Sequence, residues 1–416
     1  MIIIKNVVIK KYGGTSLGTI KRIKFVTNQI KKDFKTNSKL IIVVSAMGTD
    51  TNQLNNLAKK IASKPNPREL DMLLSTGEQK SIALLTIALN AIGLKSKSFT
   101  GSQCQILTNS DYNHARIQSI DKKKITLALD EGFICIIAGF QGVTLKGDIT
   151  TLGRGGSDTT AVALAAAFGT KICEIYTDVD GIYTVDPNIH LKARRIDQVS
   201  YCEMLELSKL GATVIHPRAV EIAVNYNIEL VIKSNFINSI GTRICRKDKN
   251  MENFNIKGIS VEKNVINFSI EKLPNNGYLS YELINRITQK NISLDMIIQN
   301  LKNRRSNHLS FVVSEDDYTQ SKIVCDEFLN EYPTTQLICS EVYSKISIVG
   351  LGINNHPEIL NKFLKCISRL EITIECLTTS QMKISCLINQ KSTEKVIKSL
   401  HTVFFLDQFN SKNTAI

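Results

Sequence analysis

Apolar and polar positions follow two alternating rhythms along the first half of the chain. Val7–Tyr12 is a candidate strand ending at Gly13–Gly14, Leu40–Val44 is a continuous apolar run, the mark of a strand buried on both faces, and Ile134–Ala138 and Cys173–Thr177 are two more buried-strand runs. Glu229–Lys233 is the last strand of this set. Between the runs lie stretches with helical spacing. In Ser16–Lys32 the residues Leu17, Ile20, Ile23, Val26 and Ile30 share one face, and Gln79–Asn90 has the same periodicity. Another helix opens at His216–Pro217–Arg218, with proline in its first turn. Strands alternating with helices predict an α/β fold, a mainly parallel sheet covered on both faces. Ligands of such sheets gather outside the carboxyl ends of the strands. Here those ends carry Gly13–Gly14, Ser45–Gly48, Gly139–Gly142 and Asp178–Gly181.

Residues 242–255 are polar and charged, and the pattern changes beyond them. The expected division is residues 1–244, a linker at 245–260, and two smaller domains at 261–340 and 341–416. The first small domain reads strand Ile266–Ile270, helix Leu279–Gln289, strands Ser293–Gln299 and His308–Val313, helix Asp317–Tyr332 and strand Thr335–Cys339. The same order recurs in Lys345–Val349, Pro357–Ser368, Thr373–Thr378, Lys383–Ile388 and Glu394–Val403, with Phe404–Phe405 as the closing strand. Both are consecutive βαββαβ units of ferredoxin-like type.

Composition adds little to this picture. The chain has 416 residues, 43% hydrophobic and 22% charged, as in ordinary globular proteins. Its net charge of +14 comes from scattered lysines without interleaved aromatics, which argues against a nucleic-acid partner. No apolar run reaches bilayer length, and the start is too short and too charged for a secretory signal. Ten cysteines without CxxC pairs or zinc spacing suit reduced thiols of a cytoplasmic protein.

The densest chemistry lies in Leu152–Ala167, LGRGGSDTTAVALAAA. The alanine-rich run is helical by propensity, and Ser157, Asp158 or Thr159 are candidates to cap its first turn. A glycine loop feeding a helix N-terminus presents backbone donors and a positive dipole end to an anion. Arg154 adds a planar fork suited to carboxylate or phosphate. Other glycine patterns fail their tests. Gly13–Thr19 lacks the lysine of a P-loop, residues 153–158 lack the last glycine of a dinucleotide fingerprint, and Ile182 breaks an EF-hand loop after Asp178-Val-Asp-Gly181.

Seven segments taken in order are more specific than any one. They are Lys11-Tyr-Gly-Gly-Thr-Ser16, Val44-Ser-Ala-Met-Gly48, Ser75-Thr-Gly-Glu-Gln79, Ala138-Gly-Phe-Gln-Gly142, Thr151-Leu-Gly-Arg-Gly-Gly-Ser-Asp-Thr-Thr160, Tyr176-Thr-Asp-Val-Asp-Gly181 and Tyr183-Thr-Val-Asp-Pro187. Together they resemble the aspartokinase family, nearly end to end. The resemblance implies an amino-acid kinase-like α/β/α sandwich followed by two ACT domains. It implies transfer of the γ-phosphoryl of ATP, with Mg²⁺, to the side-chain carboxylate of L-aspartate. By the same resemblance Lys11 reaches the phosphates, with Tyr12, Gly13 and Gly14 around them. Glu78 holds the substrate ammonium and Arg154 its α-carboxylate, while Ser45, Thr51 and Ser157 add hydroxyls. Asp158 faces the reacting phosphates. Thr177, Asp178, Tyr183, Thr184, Val185, Asp186, Pro187 and Asn188 border the nucleotide; the residues that hold the metal stay unassigned. The regulatory half implies a lysine or threonine effector and a homodimer or higher oligomer.

The acceptor carboxylate is already ionised at neutral pH, so the chemistry needs no strong general base. Two departures from the family pattern stand out. Thr213 occupies the place of a usual lysine, and Pro274-Asn-Asn-Gly277 replaces a Pro-Gly turn where effectors bind. Another amino-acid or carbamate kinase, or a non-catalytic regulatory subunit, are the competing readings. The lysine, glutamate and arginine motifs argue against both.

Overall fold

The buried apolar runs assemble side by side in one parallel core. The computed structural model describes residues 7–34, 39–209, 214–237, 239–246, 256–274, 277–290, 292–303 and 306–407. The chain divides into two compact units. The first comprises Met1–Tyr183 with Arg195–Glu252, and the second Thr184–Arg194 with Asn253–Ile416.

In the first unit the strands are β1 (Val7–Tyr12), β2 (Lys39–Val44), β3 (Ser96–Phe99), β4 (Ile106–Thr108), β5 (Ile117–Ile120), β6 (Ile134–Ala138), β7 (Gln141–Val143) and β8 (Ile149–Thr151). They continue as β9 (Ile172–Thr177), β10 (Ile182–Tyr183), β11 (Arg195–Ile196), β12 (Gln198–Ser200), β13 (Glu229–Ser234) and β14 (Thr242–Cys245). The helices are α1 (Gly14–Leu17), α2 (Ile20–Asp33), α3 (Asp50–Ile61), α4 (Pro67–Ala91), α5 (Lys123–Asp130), α6 (Gly156–Phe168), α7 (Tyr201–Lys209) and α8 (Pro217–Tyr226). The main sheet runs β12-β14-β13-β9-β1-β2-β6-β3 and is parallel except between β13 and β14. A small sheet, β5-β4-β7-β8, stands beside it.

Register fixes where the site lies. Tyr12 of β1 pairs with Val44 of β2 and Tyr176 of β9, and Val44 pairs with Ala138 of β6. The four carboxyl ends are therefore level and adjacent. From β1 the chain first adds β2, β6 and β3 on one side, then β9 and β13 on the other. The β1/β9 boundary is thus a topological switch point, the crevice where open α/β sheets bind ligands. Ile9, Ile41 and Ile42 are fully buried in this sheet, each contributing roughly 1.5–3 kcal/mol.

Four boundaries differ from the sequence reading. Ser16–Lys32 is two helices, because Thr19 interrupts it as the N-cap of α2, accepting from Arg22 N at 3.2 Å. Gln79–Asn90 is only the second half of α4, which starts at Pro67 under an Asn66 cap. Glu229–Lys233 is not the last strand: Thr242–Cys245 pairs with both β13 and β12. Its alternating burial, one face in and one out, leaves no continuous apolar run to detect.

The fourth difference lies in the second unit. Its strands are β15 (Gly258–Pro274), β16 (Asp295–Asn303), β17 (Ser306–Ser314), β18 (Gln336–Val349), β19 (Cys376–Thr379) and β20 (Lys383–Asn389). Its helices are α9 (Gly277–Thr288), α10 (Tyr318–Glu331), α11 (Pro357–Arg369) and α12 (Thr393–Val403). All six strands form one sheet, β16-β17-β15-β18-β20-β19. Phe404–Phe405 is a turn, not a strand. The place it was to fill, beside the second half of β18, is taken by Gly258–Glu262, which pairs with Lys345–Val349. The two βαββαβ units therefore interleave through two long strands. Segment Thr184–Arg194 joins this unit through Val185, buried in its core, and Thr184, whose Oγ1 lies 3.0 Å from His401 Nε2.

Candidate active site

Lys11 is the penultimate residue of β1, one residue from the switch point. Its Nζ lies 2.7 Å from Asp158 Oδ1 in the first turn of α6, and both residues are buried. A buried pair this close fixes the ammonium in place. Gly13 and Gly14 follow at the strand end. Gly13 N donates to Tyr176 O at 3.0 Å, tying the turn to β9. A Cβ on Gly14 would stand 2.6 Å from Ala46 O, so the turn closes on the loop after β2 only with glycine there. Ser45 N donates to Tyr12 O in the same junction, and Ser45 and Thr51 are half-buried on that loop and the start of α3.

Glu78 sits well inside α4. The carboxylate is buried and accepts from Ala46 N at 2.9 Å through Oε1, while Oε2 has no hydrogen-bond partner. Burial pushes its pKa up to about 8; the Ala46 N–H opposes that shift and nearby Asp50 adds to it. A buried carboxylate with one oxygen open to a ligand suits an ammonium group.

The arginine loop is built by glycines in left-handed conformations. Gly153 has φ 76° and Gly155, the N-cap of α6, has φ 66°. The expected side-chain cap from Ser157, Asp158 or Thr159 is absent. These residues lie inside the first turn, and Thr159 and Thr160 bond back to Gly155 O and Gly156 O. The helix N-terminus thus keeps backbone donors for an anion. Arg154 is exposed at the tip of the loop, and Ser157 is buried behind it. A Cβ on Gly155 would stand 2.1 Å from His216 Cβ, which packs the loop onto the start of α8. His216 caps that helix, its side chain accepting from Arg218 N, and the helix opens where the sequence placed its start. Arg218 then reaches back, donating to Leu152 O at 2.5 Å and Ala115 O at 2.9 Å. This clamp escaped the sequence reading, since only the fold brings α8 beside the loop.

Asp71 escaped it as well. Fully buried, it accepts from Asn113 N, Thr151 N and Thr151 Oγ1, which pins the strand leading into the arginine loop.

On the other side of the crevice, Thr177 Oγ1 donates to Asp178 Oδ1 at 3.0 Å, and Asp178 is exposed. Tyr183 donates to Asp180 Oδ1 at 2.6 Å, and its pKa rises to about 12, chiefly through desolvation. Thr184 and Val185 are both buried, Val185 in the core of the second unit. Asp186, Pro187 and Asn188 belong to the same segment, where Asn188 N donates to Asp186 Oδ1 at 2.8 Å. Thr213 and the centre of the Pro274–Gly277 turn lie outside the described residues. Among the described residues no group of three or more His, Cys, Asp or Glu forms a metal cluster.

The amino acid kinase family model matches residues 6–234, and an ACT domain model matches residues 346–404. Over 401 residues the chain is 40% identical to an aspartate kinase of Pseudomonas putida, spanning 96% of this chain and 98% of that protein. The chain belongs to the aspartokinase family. The aspartokinase fold is also that of E. coli aspartokinase III in complex with aspartate and ADP: TM-score 0.81 at 23% identity, 96% of this chain and all of that one. The same E. coli protein in complex with lysine and aspartate superimposes with TM-score 0.73 at 24% identity, covering 96% and 99%. No described helix of this aspartokinase is long and apolar enough to cross a membrane.

Proposed function

We infer that this aspartokinase transfers the γ-phosphoryl group of ATP to the side-chain carboxylate of L-aspartate, giving 4-phospho-L-aspartate. That product opens the biosynthesis of lysine, threonine, methionine and diaminopimelate. The observation that carries the reading is the Lys11–Asp158 pair at the switch point, beside the Gly13–Gly14 turn and a helix N-terminus without a side-chain cap. Phosphoryl transfer to an ionised carboxylate is a problem of positioning and charge. Lys11, held by Asp158, offsets negative charge on the transferring group. Gly13, Gly14 and the first turn of α6 supply backbone donors. Arg154 grips the substrate α-carboxylate, Glu78 its ammonium, and Ser45, Thr51 and Ser157 complete the polar lining. Thr177, Asp178 and Tyr183 border the nucleotide. Mg²⁺ would supply neutralisation of the nucleotide's negative charge. With no acidic cluster among the described residues, exposed Asp178 is the candidate to meet it, directly or through water.

The second unit is read as two interleaved ACT domains that bind lysine or threonine and pair with another copy of the chain. A coupled ADP-release and hydroxamate assay tests substrate and regulation together. Aspartate-dependent turnover is expected, with inhibition by lysine or threonine. Turnover without dependence on aspartate would sink the substrate assignment, and indifference to both effectors would sink the regulatory one.

A further inference from the structure

A cavity of about 1050 Å³ opens on the sheet face opposite the Lys11–Asp158 pair. Neighbouring residues of a strand point to opposite faces. Thus β1 sends Lys11 to Asp158 and Lys10 into this cavity. Charged residues on its floor satisfy one another. Lys10 Nζ lies 2.8 Å from Asp33 and 3.2 Å from Glu174, and Lys233 Nζ lies 2.7 Å from Glu174. Two other groups are not satisfied. Asn235, just after β13, is 2% exposed, and neither its side-chain oxygen nor its nitrogen has a partner. Gln29 Oε1 on α2 is likewise buried and unpartnered, and both residues line the cavity. Buried amides in folded proteins are paired with protein, ordered water or a ligand. At the mouth, Phe25 and Phe236 stack at 6.4 Å, and the Arg22 guanidinium lies 5.1 Å from the Phe236 ring. Both rings are nearly half exposed, at 48% and 42%.

We propose that this cavity binds an adenine nucleotide, at a site separate from the phosphoryl-transfer crevice. Whichever way its amide is turned, Asn235 offers one donor beside one acceptor. The amino group and adjacent ring nitrogen of adenine match that pair, the same pairing by which asparagine reads adenine elsewhere. The second amino hydrogen suits an acceptor such as Gln29 Oε1. The Phe25 and Phe236 rings suit the purine face, and Lys32 in the lining and Arg22 beside the Phe236 ring supply cations for a phosphate.

The probe is AMP, which has no γ-phosphoryl group to donate, titrated calorimetrically into the full chain. AMP is expected to bind, with affinity at least about 10-fold weaker in Asn235→Leu and unchanged in Lys11→Ala. Unliganded Asn235→Leu should also melt higher than the parent, because an apolar side chain replaces unpaired polar atoms. If Asn235→Leu does not fold, Phe236→Ala, at the partly exposed mouth, is expected to weaken AMP in its place. No AMP binding at millimolar concentration, equal affinity in the folded cavity variant, or loss of binding in Lys11→Ala would each overturn the site. Equal binding of CMP and AMP would overturn its adenine specificity.

Discussion

Glu78 and Lys11 are both buried charges, with opposite consequences. Lys11 has its counter-ion built in, whereas Glu78 has one oxygen open and a pKa pushed up to about 8. The folded protein therefore holds a proton that the unfolded chain releases near its ordinary value of 4.5. That contribution to stability is whole below pH 4.5 and is lost as pH rises through about 8. Glu78→Gln should flatten the dependence of the melting temperature on pH across that window. It should also raise the KM for aspartate by on the order of 10-fold or more, since a buried charge partner for the ammonium is gone. In the parent, KM should fall as pH rises toward 8, and in Glu78→Gln it should not. Identical pH profiles would refute the ammonium role. Lys11→Met should fold yet lose on the order of 10²-fold or more in kcat, the scale for one preorganised electrostatic partner. It also strands Asp158, so adding Asp158→Asn should restore stability without restoring turnover. Urea unfolding beside the kinase assay separates the two effects.

The arginine loop shows how an element is positioned by residues that carry no chemistry. Gly155 combines a left-handed backbone with a gap too small for a methyl group. Gly155→Ala should therefore cost about 2 kcal/mol or more, roughly 1–2 from the backbone alone with the clash against His216 in addition. Activity should fall further than stability, because the loop carries Arg154. A variant with parental melting temperature and KM would show that the loop tolerates displacement. At this scale the sequence was readable where one physical signal dominated. The run Leu40–Val44 is apolar throughout and Val7–Tyr12 opens on three apolar residues before a glycine turn, and the structure keeps them as β2 and β1 with nearly the same ends. It was not readable where a distant partner decides. Thr242–Cys245 is a strand because β13 and β12 flank it, and Gly155 rather than Ser157 caps α6 because His216 packs there. Arg218 and Asp71 carry no motif, and only tertiary folding brings them to the loop. Lys11, Glu78 and Arg154 stand in recognisable local motifs, although the partners the fold gives them, Asp158 for Lys11 and Ala46 N for Glu78, lie far away in sequence.

Interleaving makes the second unit a single cooperative body, although its sequence reads as two consecutive modules. The fourth strand expected at Phe404–Phe405 comes from Gly258–Glu262, before the first module begins. Lys345 reinforces this arrangement. Only 2% exposed, it is ion-paired with Glu262 on β15 and Asp295 on β16; burial is the largest single influence and lowers its pKa, but the two carboxylates together outweigh it and raise the pKa. Cutting the chain between the modules would remove Gly258–Glu262 from Lys345–Val349 and leave the edge of β18 with unpaired backbone groups, while Lys345 would lose both carboxylates. Exposed edges of this kind seek another strand. A fragment of residues 341–407 should therefore self-associate or remain unfolded by circular dichroism and size-exclusion chromatography. Joining residues 256–263 to its start through a flexible linker should reduce that association and increase amide protection in Lys345–Val349, because the missing strand is restored in its own register. A fragment of 341–407 that is monomeric and fully folded without the added strand would mean that the second module closes by itself and that the shared strands are dispensable.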